Sequence, residues 1–268
     1  MTHLDVDGSR LELRHIIAPP DTTARAPIVF LHEGLGSVSL WRDWPDQVCA
    51  ATGRAGVVYS RRGYGQSDPV PDVRGPSRIK GGRRVGRLEP DYMHHEAWVV
   101  LPDLLRQLGL PQPPVLLGHS DGATIALLHA SRHPVSACIA MAPHVIVEDV
   151  SVASIAQARE AWQRGELRPR LARHHADVDG AFWQWNDIWL DPRFRAFDIR
   201  EDCRSIAAPV LALQGLDDVY GSLRQILDIG PAQAPVWRRT LAHCGHSPHR
   251  DQGEATMAAV RTFLSAQP

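Results

Sequence analysis

Short apolar runs, each closed by a breaker, recur along the chain. They are Ile28-Val29-Phe30-Leu31, Gly56-Val57-Val58-Tyr59, Val115-Leu116-Leu117, Ala137-Cys138-Ile139-Ala140 and Val210-Leu211-Ala212-Leu213, with a last one from Val236 to Leu241. Runs apolar on both faces suit buried parallel strands better than half-exposed ones. Segments with helical spacing lie between them. Tyr92 to Leu108 sets Ala97, Val100, Leu101, Leu104, Leu105 and Leu108 along one side, Asp121 to His133 is rich in Ala and Leu, and Glu254 to Leu264 closes the chain. Strands alternating with helices predict an α/β fold with a mainly parallel sheet covered on both faces. Ligands in such folds gather at the carboxyl ends of the strands. Ahead of this pattern, His3–Val6 and Arg10–Ile17 flank Asp7-Gly8-Ser9, which reads as a β-hairpin.

From about His144 to about Ser205 the alternation stops, and only helical patterns are found. This stretch holds Trp162, Phe182, Trp183, Trp185, Trp189, Phe194 and Phe197. It reads as a helical cap, 144–205, inserted into a core made of 1–143 and 206–268. Some of these rings glue cap to core. Roughly two or three are expected to face a ligand cavity, because such pockets are mostly apolar and aromatic; Trp162, Trp183, Trp185 and Trp189 are the candidates. Asp72 to Arg87 is a second unusual stretch, with Arg74, Arg78, Lys80, Arg83, Arg84 and Arg87 among several glycines. It reads first as a solvated, mobile loop and second as a positive rim attracting an anionic substrate.

Composition removes several classes. The chain has 268 residues and a formal net charge of -1, which gives no footprint for nucleic acid. A start of Met-Thr-His-Leu-Asp-Val-Asp lacks the regions of a signal peptide, and no run is long enough to span a membrane. The expectation is a soluble, cytoplasmic protein acting on a small molecule; a homodimer is allowed but required by nothing in the sequence. Cys49, Cys138, Cys203 and Cys244 form no CxxC pair, so packing is expected of them rather than disulfides or zinc. His94-His95-Glu96 and His174-His175 place adjacent imidazoles in different directions and make a poor metal site. There is no P-loop and no G-x-G-x-x-G after a strand, so no cofactor and no metal are expected.

The chemistry-bearing motif is Gly118-His119-Ser120-Asp121-Gly122. It follows the run at Val115 and opens the helical segment from Asp121, the strand–turn–helix setting that a G-x-S-x-G nucleophile elbow requires. Glycines beside the serine remove side chains that would collide in so sharp a turn. A serine hydroxyl needs a base, and in this arrangement the acid and then the histidine follow the serine. Gln214-Gly215-Leu216-Asp217-Asp218 and Cys244-Gly245-His246-Ser247-Pro248 supply both, each after an apolar run. His246 is the base candidate; His243 and His249 have weaker claims. Asp217 and Asp218 compete for the acid.

With Leu31-His32-Glu33-Gly34, Arg62-Gly63-Tyr64-Gly65-Gln66-Ser67, the elbow, Gly215-Leu216-Asp217-Asp218 and Gly245-His246-Ser247-Pro248, the chain resembles a cap-containing α/β-hydrolase of the serine esterase kind almost end to end. The resemblance implies a mostly parallel eight-stranded sheet. It picks Asp218 as the acid, three residues after the glycine, with Asp217 as the alternative. It implies an oxyanion hole made by the backbone N–H groups of Gly34 and Asp121. Glu33 departs from the usual glycine; it is expected either to pair with Arg61 or Arg62 or to contact substrate. The activity implied is cleavage of a carboxylic ester, thioester or lactone of an apolar or aromatic substrate. A carbon–carbon bond hydrolase of aromatic degradation is a rival on the same fold, and so is a noncatalytic binding protein. A haloperoxidase side activity stays open, whereas a dehalogenase would carry aspartate in place of Ser120.

Overall fold

The computed structural model describes residues 2–20, 25–230 and 232–267. Its strands are β1 (Thr2–Val6), β2 (Ser9–Ile16), β3 (Ile28–Leu31), β4 (Gly56–Tyr59), β5 (Arg78–Lys80), β6 (Arg83–Val85), β7 (Val115–His119), β8 (Ala137–Met141), β9 (Val210–Gly215) and β10 (Val236–Leu241). Eight of them form one sheet in the order β1-β2-β4-β3-β7-β8-β9-β10. Parallel pairing runs from β4 through β10, while β1 and β2 are antiparallel. The β1–β2 turn falls at Asp7 and Gly8, both with positive φ, as a two-residue hairpin requires. The helices are α1 (Trp44–Thr52), α2 (Tyr92–His95), α3 (Leu101–Leu108), α4 (Asp121–Ala130), α5 (Asp149–Gln163), α6 (Arg168–Leu171), α7 (Val178–Trp189), α8 (Arg200–Cys203), α9 (Arg224–Leu227), α10 (Pro248–Asp251) and α11 (Gly253–Ser265).

Successive strand residues point to opposite faces, and β3 divides its side chains accordingly. Ile28 and Phe30 join Trp41, Trp44, Val48, Val260 and Phe263 on one face. Val29 and Leu31 join Leu101, Leu104 and the apolar side of α4 on the other. The fully buried character of β3, β4, β7, β8 and β9 matches their double-sided apolar sequences. β10 differs: it is an edge strand with Arg238 and Arg239 exposed, not a buried one. Charged side chains on an edge discourage pairing with another chain.

The helical segment 92–108 is not one regular α-helix. A π-helical turn, Glu96–Val100, joins α2 to α3. Pro102 sits at the start of α3; its missing N–H and its clash with the carbonyl four residues earlier disfavour an unbroken α ladder there. The basic stretch after Asp72 holds the β5–β6 hairpin, where a loop was expected. Several of its arginines are paired: Arg74 with Asp187, Arg78 with Asp72 and Arg84 with Asp91. Between β8 and β9 the chain leaves the sheet and forms α5 to α8, with no strand among the described residues and a single bridge, Ile146 to Asp198. No helix among the described residues is long and apolar enough to cross a membrane. All four cysteines are buried and unpaired.

Three buried histidines set an acid limit on this fold. Burial lowers His129 to about 4, His144 to about 3 and His249 to about 2. Below the ordinary value of 6.5, the unfolded chain takes up protons that the folded chain refuses. The stability is therefore whole above that pH and is lost as pH falls toward the folded values. Each histidine should cost about 1.4 kcal/mol per pH unit in that window. Urea midpoints should drop steeply between pH 7 and pH 5; equal midpoints would contradict the neutral burial of these rings.

Candidate active site

β7 ends at His119, and Ser120 turns the chain into α4 with φ 53° and ψ −120°. A non-glycine residue held there carries strain of about 1–3 kcal/mol. The flanking glycines make the turn possible. A Cβ at Gly118 would strike the backbone of Gly122, and one at Gly122 would strike the carbonyl of Leu31. The Ser120 N–H is fixed to the Met141 carbonyl at 2.9 Å. The hydroxyl then meets groups from two later strand ends.

Ser120 Oγ lies 2.9 Å from His246 Nε2, and His246 Nδ1 lies 3.0 and 2.9 Å from the two carboxylate oxygens of Asp218. Asp218 also accepts from the Tyr220 N–H at 2.8 Å and from Gln214 Nε2 at 2.6 Å. Burial acts to raise its pKa, but the hydrogen bond and charge of His246, with the Tyr220 N–H, hold it below the usual carboxylate value. Asp217 is exposed, its N–H tied to the Cys244 carbonyl at 2.9 Å. Of the two candidate acids, only Asp218 reaches the histidine. His243 is exposed, and His249 is buried against Trp41 and Trp44.

Gly34 and Asp121 border the same cavity as Ser120. The Asp121 N–H belongs to the first turn of α4, where backbone donors have no partner within the helix. The Trp185 indole lies against the Cα of Gly34, so a Cβ at this position would overlap the ring. The Asp121 carboxylate accepts from Tyr92 Oη at 2.7 Å and lies 3.8 Å from Arg61 Nη1. Burial raises its pKa, and Arg61 and then Tyr92 oppose the shift. Arg61 and Asp121 side chains are only 4% and 1% exposed. Removing one member of such a pair typically costs about 3–5 kcal/mol, because the other is left buried alone. Arg61→Met should lower stability by about that much, read as a urea midpoint. Adding Asp121→Asn should recover part of the loss; a double variant no more stable than the single one would refute this pairing.

Glu33 does not pair through its carboxylate with Arg61 or Arg62, as the sequence suggested. Arg61 takes the Glu33 backbone carbonyl at 3.0 Å, and Arg62 takes the Arg84 carbonyl at 2.7 Å. The carboxylate meets Arg250 at 3.3 Å and His119 Nδ1 at 3.6 Å. Burial would raise its pKa, yet His119 and then Arg250 hold it well below the ordinary value. Arg250 arrives from α10, just after His246, a long-range partner that no local spacing reveals. His119 in turn donates from Nε2 to the His246 carbonyl at 2.6 Å. Glu33 thus borders the cavity beside Ser120 and is tied to Arg250 and to His119, which is bonded to the His246 carbonyl.

The cavity is about 220 Å³, and its apolar wall includes Leu35, Ile155, Trp185 and Trp189. Two of the four candidate tryptophans are there. Trp162 instead stacks on Phe182 with centroids 4.0 Å apart, and Trp183 carries the Arg74 guanidinium 3.9 Å over its ring. Helix periodicity explains the split: residues 185 and 189 are one turn apart on α7, while 183 points elsewhere. None of Arg74 to Arg87 borders this cavity; Arg84 and Arg87 border a separate one of about 90 Å³ beside Arg61 and Tyr92. His174 and His175 serve as ties, His174 to Ser39 Oγ at 2.9 Å, His175 to the Gly65 N–H at 2.9 Å and the Leu35 carbonyl at 3.0 Å. No group of metal-ligating side chains is assembled among the described residues.

Sequence reasoning missed His144, whose Nε2 lies 3.4 Å from Ser120 Oγ. Its position three residues beyond β8, at a carboxyl strand end, was the available signal. It also missed Ile155 and Tyr220, the latter with its ring 4.7 Å from that of His246.

The chain is similar to known hydrolases over most of its length. It is 24% identical to the sn-1-specific diacylglycerol lipase ABHD11 of Mus musculus, covering 97% of this chain and 88% of that protein. Among solved structures, the enol-lactonase from Burkholderia xenovorans LB400 superposes with a TM-score of 0.70 at 16% identity, covering 98% of this chain and 99% of that one. A thermophilic esterase from Thermogutta terrifontis gives 0.71 at 16% identity, with 99% and 98% covered. The model of the alpha/beta hydrolase family matches residues 28–260. The chain, with its elbow at Ser120 and its eight-stranded sheet, belongs to the alpha/beta hydrolase family.

Proposed function

We propose that the protein is a serine hydrolase that cleaves a small carboxylic ester, thioester or lactone through an acyl-enzyme, with Ser120, His246 and Asp218 as its triad. The observation that carries this reading is the unbroken chain of contacts from Ser120 Oγ through His246 to Asp218, each link 2.9–3.0 Å. Ser120 attacks the carbonyl carbon while its proton passes to His246 Nε2. Asp218 holds the Nδ1–H tautomer and stabilises the imidazolium. The negative oxygen rests on the N–H groups of Gly34 and Asp121, at the positive end of α4. The leaving group takes the proton from His246, and water then repeats the sequence with the acyl group as its target.

The cavity volume supports a small substrate. About 220 Å³ falls below the roughly 300–1,000 Å³ of sites for drug-sized ligands. Trp185 and Trp189 favour a flat or apolar acyl or alcohol group. The mouse relative's glyceride and the Burkholderia relative's lactone fall in the same bond class. Two experiments test the reading together: labelling with a fluorophosphonate and turnover of p-nitrophenyl esters of increasing chain length. Lactones, thioesters and a vinylogous diketone complete the panel. Labelling at Ser120 with the best turnover on short or aromatic esters is expected. A native protein that neither labels nor hydrolyses any ester would overturn it, and turnover of the diketone alone would move the activity to carbon–carbon cleavage.

A further inference from the structure

We propose that His144 is a fourth catalytic residue, an uncharged imidazole that donates one hydrogen bond to Ser120 Oγ and helps that oxygen leave when the acyl-enzyme is hydrolysed. The inference rests on the serine hydrolase reading above. It starts from a proton count. Ser120 Oγ carries one hydrogen and has two imidazole nitrogens in reach, His246 Nε2 at 2.9 Å and His144 Nε2 at 3.4 Å. Activation by His246 requires the hydroxyl proton to point that way. Oγ then faces His144 with a lone pair, so the hydrogen there sits on His144 Nε2. The bond is longer than the contact to His246, and catalytic hydrogen bonds often tighten only with substrate bound.

The surroundings hold the ring in this role. Ala142, with φ 46°, and Pro143 turn the chain out of β8. Thr124 Oγ1 then clasps His144 at both backbone groups, accepting from its N–H and donating to its carbonyl, each at 2.9 Å. Thr124 lies on α4, one turn beyond Ser120, so the helix that opens at the nucleophile also carries the side chain that holds the His144 backbone. The His144 ring packs edge-on to Trp189 with centroids 4.7 Å apart. Its Nδ1 is buried with no partner among the described residues. A buried polar atom left unsatisfied is costly, which makes a merely structural histidine an expensive choice here. Burial depresses the ring to about 3, so it stays neutral and does not compete with His246 for the proton.

A donor on Oγ draws electron density from it. The oxygen becomes a slightly weaker nucleophile and a better leaving group. In acylation Oγ forms its bond to the acyl carbon and gives its proton to His246, and the leaving group departs with the bonding pair and that proton. In deacylation water gives a proton to His246 and bonds to the acyl carbon. The carbon–Oγ bond then breaks, its electron pair goes to Oγ, and His246 returns the proton. Only in this last step does Oγ receive the pair, and there the His144 N–H matters most.

The test is stopped-flow hydrolysis of a p-nitrophenyl ester that the wild type turns over, which separates the two halves. His144→Phe keeps the ring and removes the donor. It should show a burst near one p-nitrophenolate per Ser120, with acylation within about threefold of wild type and deacylation slowed roughly tenfold, the worth of one ordinary hydrogen bond. His144→Gln, with an amide donor of similar reach, should restore deacylation. His144→Leu replaces the phenylalanine variant if the latter does not fold, as judged by thermal melting. Equal loss in both halves, or no loss in either, would overturn the proposal while leaving the serine hydrolase reading intact. Absence of any acyl-enzyme or labelling in the wild type would overturn both.

Discussion

Ser120→Ala should reduce kcat on the order of 10⁶-fold, as removal of a triad nucleophile does elsewhere, and leave the fold unchanged. The side chain is buried, and among the described residues its hydroxyl lies within bonding distance of His246 and His144. On the proposed mechanism, losing that hydroxyl removes the attacking atom and relieves nothing else. Even the strained backbone stays, because φ 53° at residue 120 is imposed by Gly118, Gly122 and the bond to Met141. Alanine tolerates that region no better than serine. Circular dichroism and the melting temperature should match the wild type, and fluorophosphonate labelling should vanish. A variant that keeps more than about a hundredth of wild-type turnover, a residue far above what a missing nucleophile leaves, would mean that another group attacks.

The second large effect separates two adjacent aspartates. Asp218→Asn should lower kcat on the order of 10⁴-fold, because an amide in that place favours the wrong tautomer of the histidine. Asp217→Asn should leave kcat within about twofold, as surface changes away from a site commonly do. The reasoning follows the bonds: Asp218 spends both oxygens on His246 and takes two further donors, whereas Asp217 is exposed. The pKa of Asp218 is depressed in the folded state. Its contribution to stability is therefore present above the ordinary aspartate value and fades only as pH falls through the lower folded one. Across neutral pH it stays ionised, so the acid limb of kcat near neutrality should not come from this residue. Comparable losses in the two variants would return the acid to an open question.

Most of the sheet was legible because its signal is local. β3, β4 and β10 begin and end at the residues where their runs do, and β7, β8 and β9 begin there and extend one or two residues further. The elbow was legible for the same reason, since strand, turn and helix are contiguous. What the sequence hid was assembled over distance. Glu33 finds Arg250 across 217 positions, and no periodicity encodes that. His144 looked like one histidine among fourteen until the crossover from β8 brought it to the serine. The four tryptophans of α5 and α7 shared one composition but not one face. Val236 to Leu241 was read as buried because its ends are apolar, yet its middle arginines mark an edge. Pro102 stood in plain view, and its effect, a π-helical turn upstream, follows from the amide hydrogen it lacks.

The contact between Trp185 and Gly34 couples two parts of the chain that are 151 positions apart (185 less 34). Glycine at 34 is demanded by the indole above it, because its own backbone φ is not in the left-handed region. The two sites should therefore drift together over evolutionary time. In descendants or relatives that trade the indole for a small side chain, position 34 is released to accept alanine or larger. In any chimera that grafts another hydrolase's α5–α8 segment onto this sheet, a residue with a side chain at 34 and a tryptophan at 185 coexist only if the indole moves. The unit of inheritance here is a pair of touching positions on the cavity wall, and redesign of one requires a matching choice at the other.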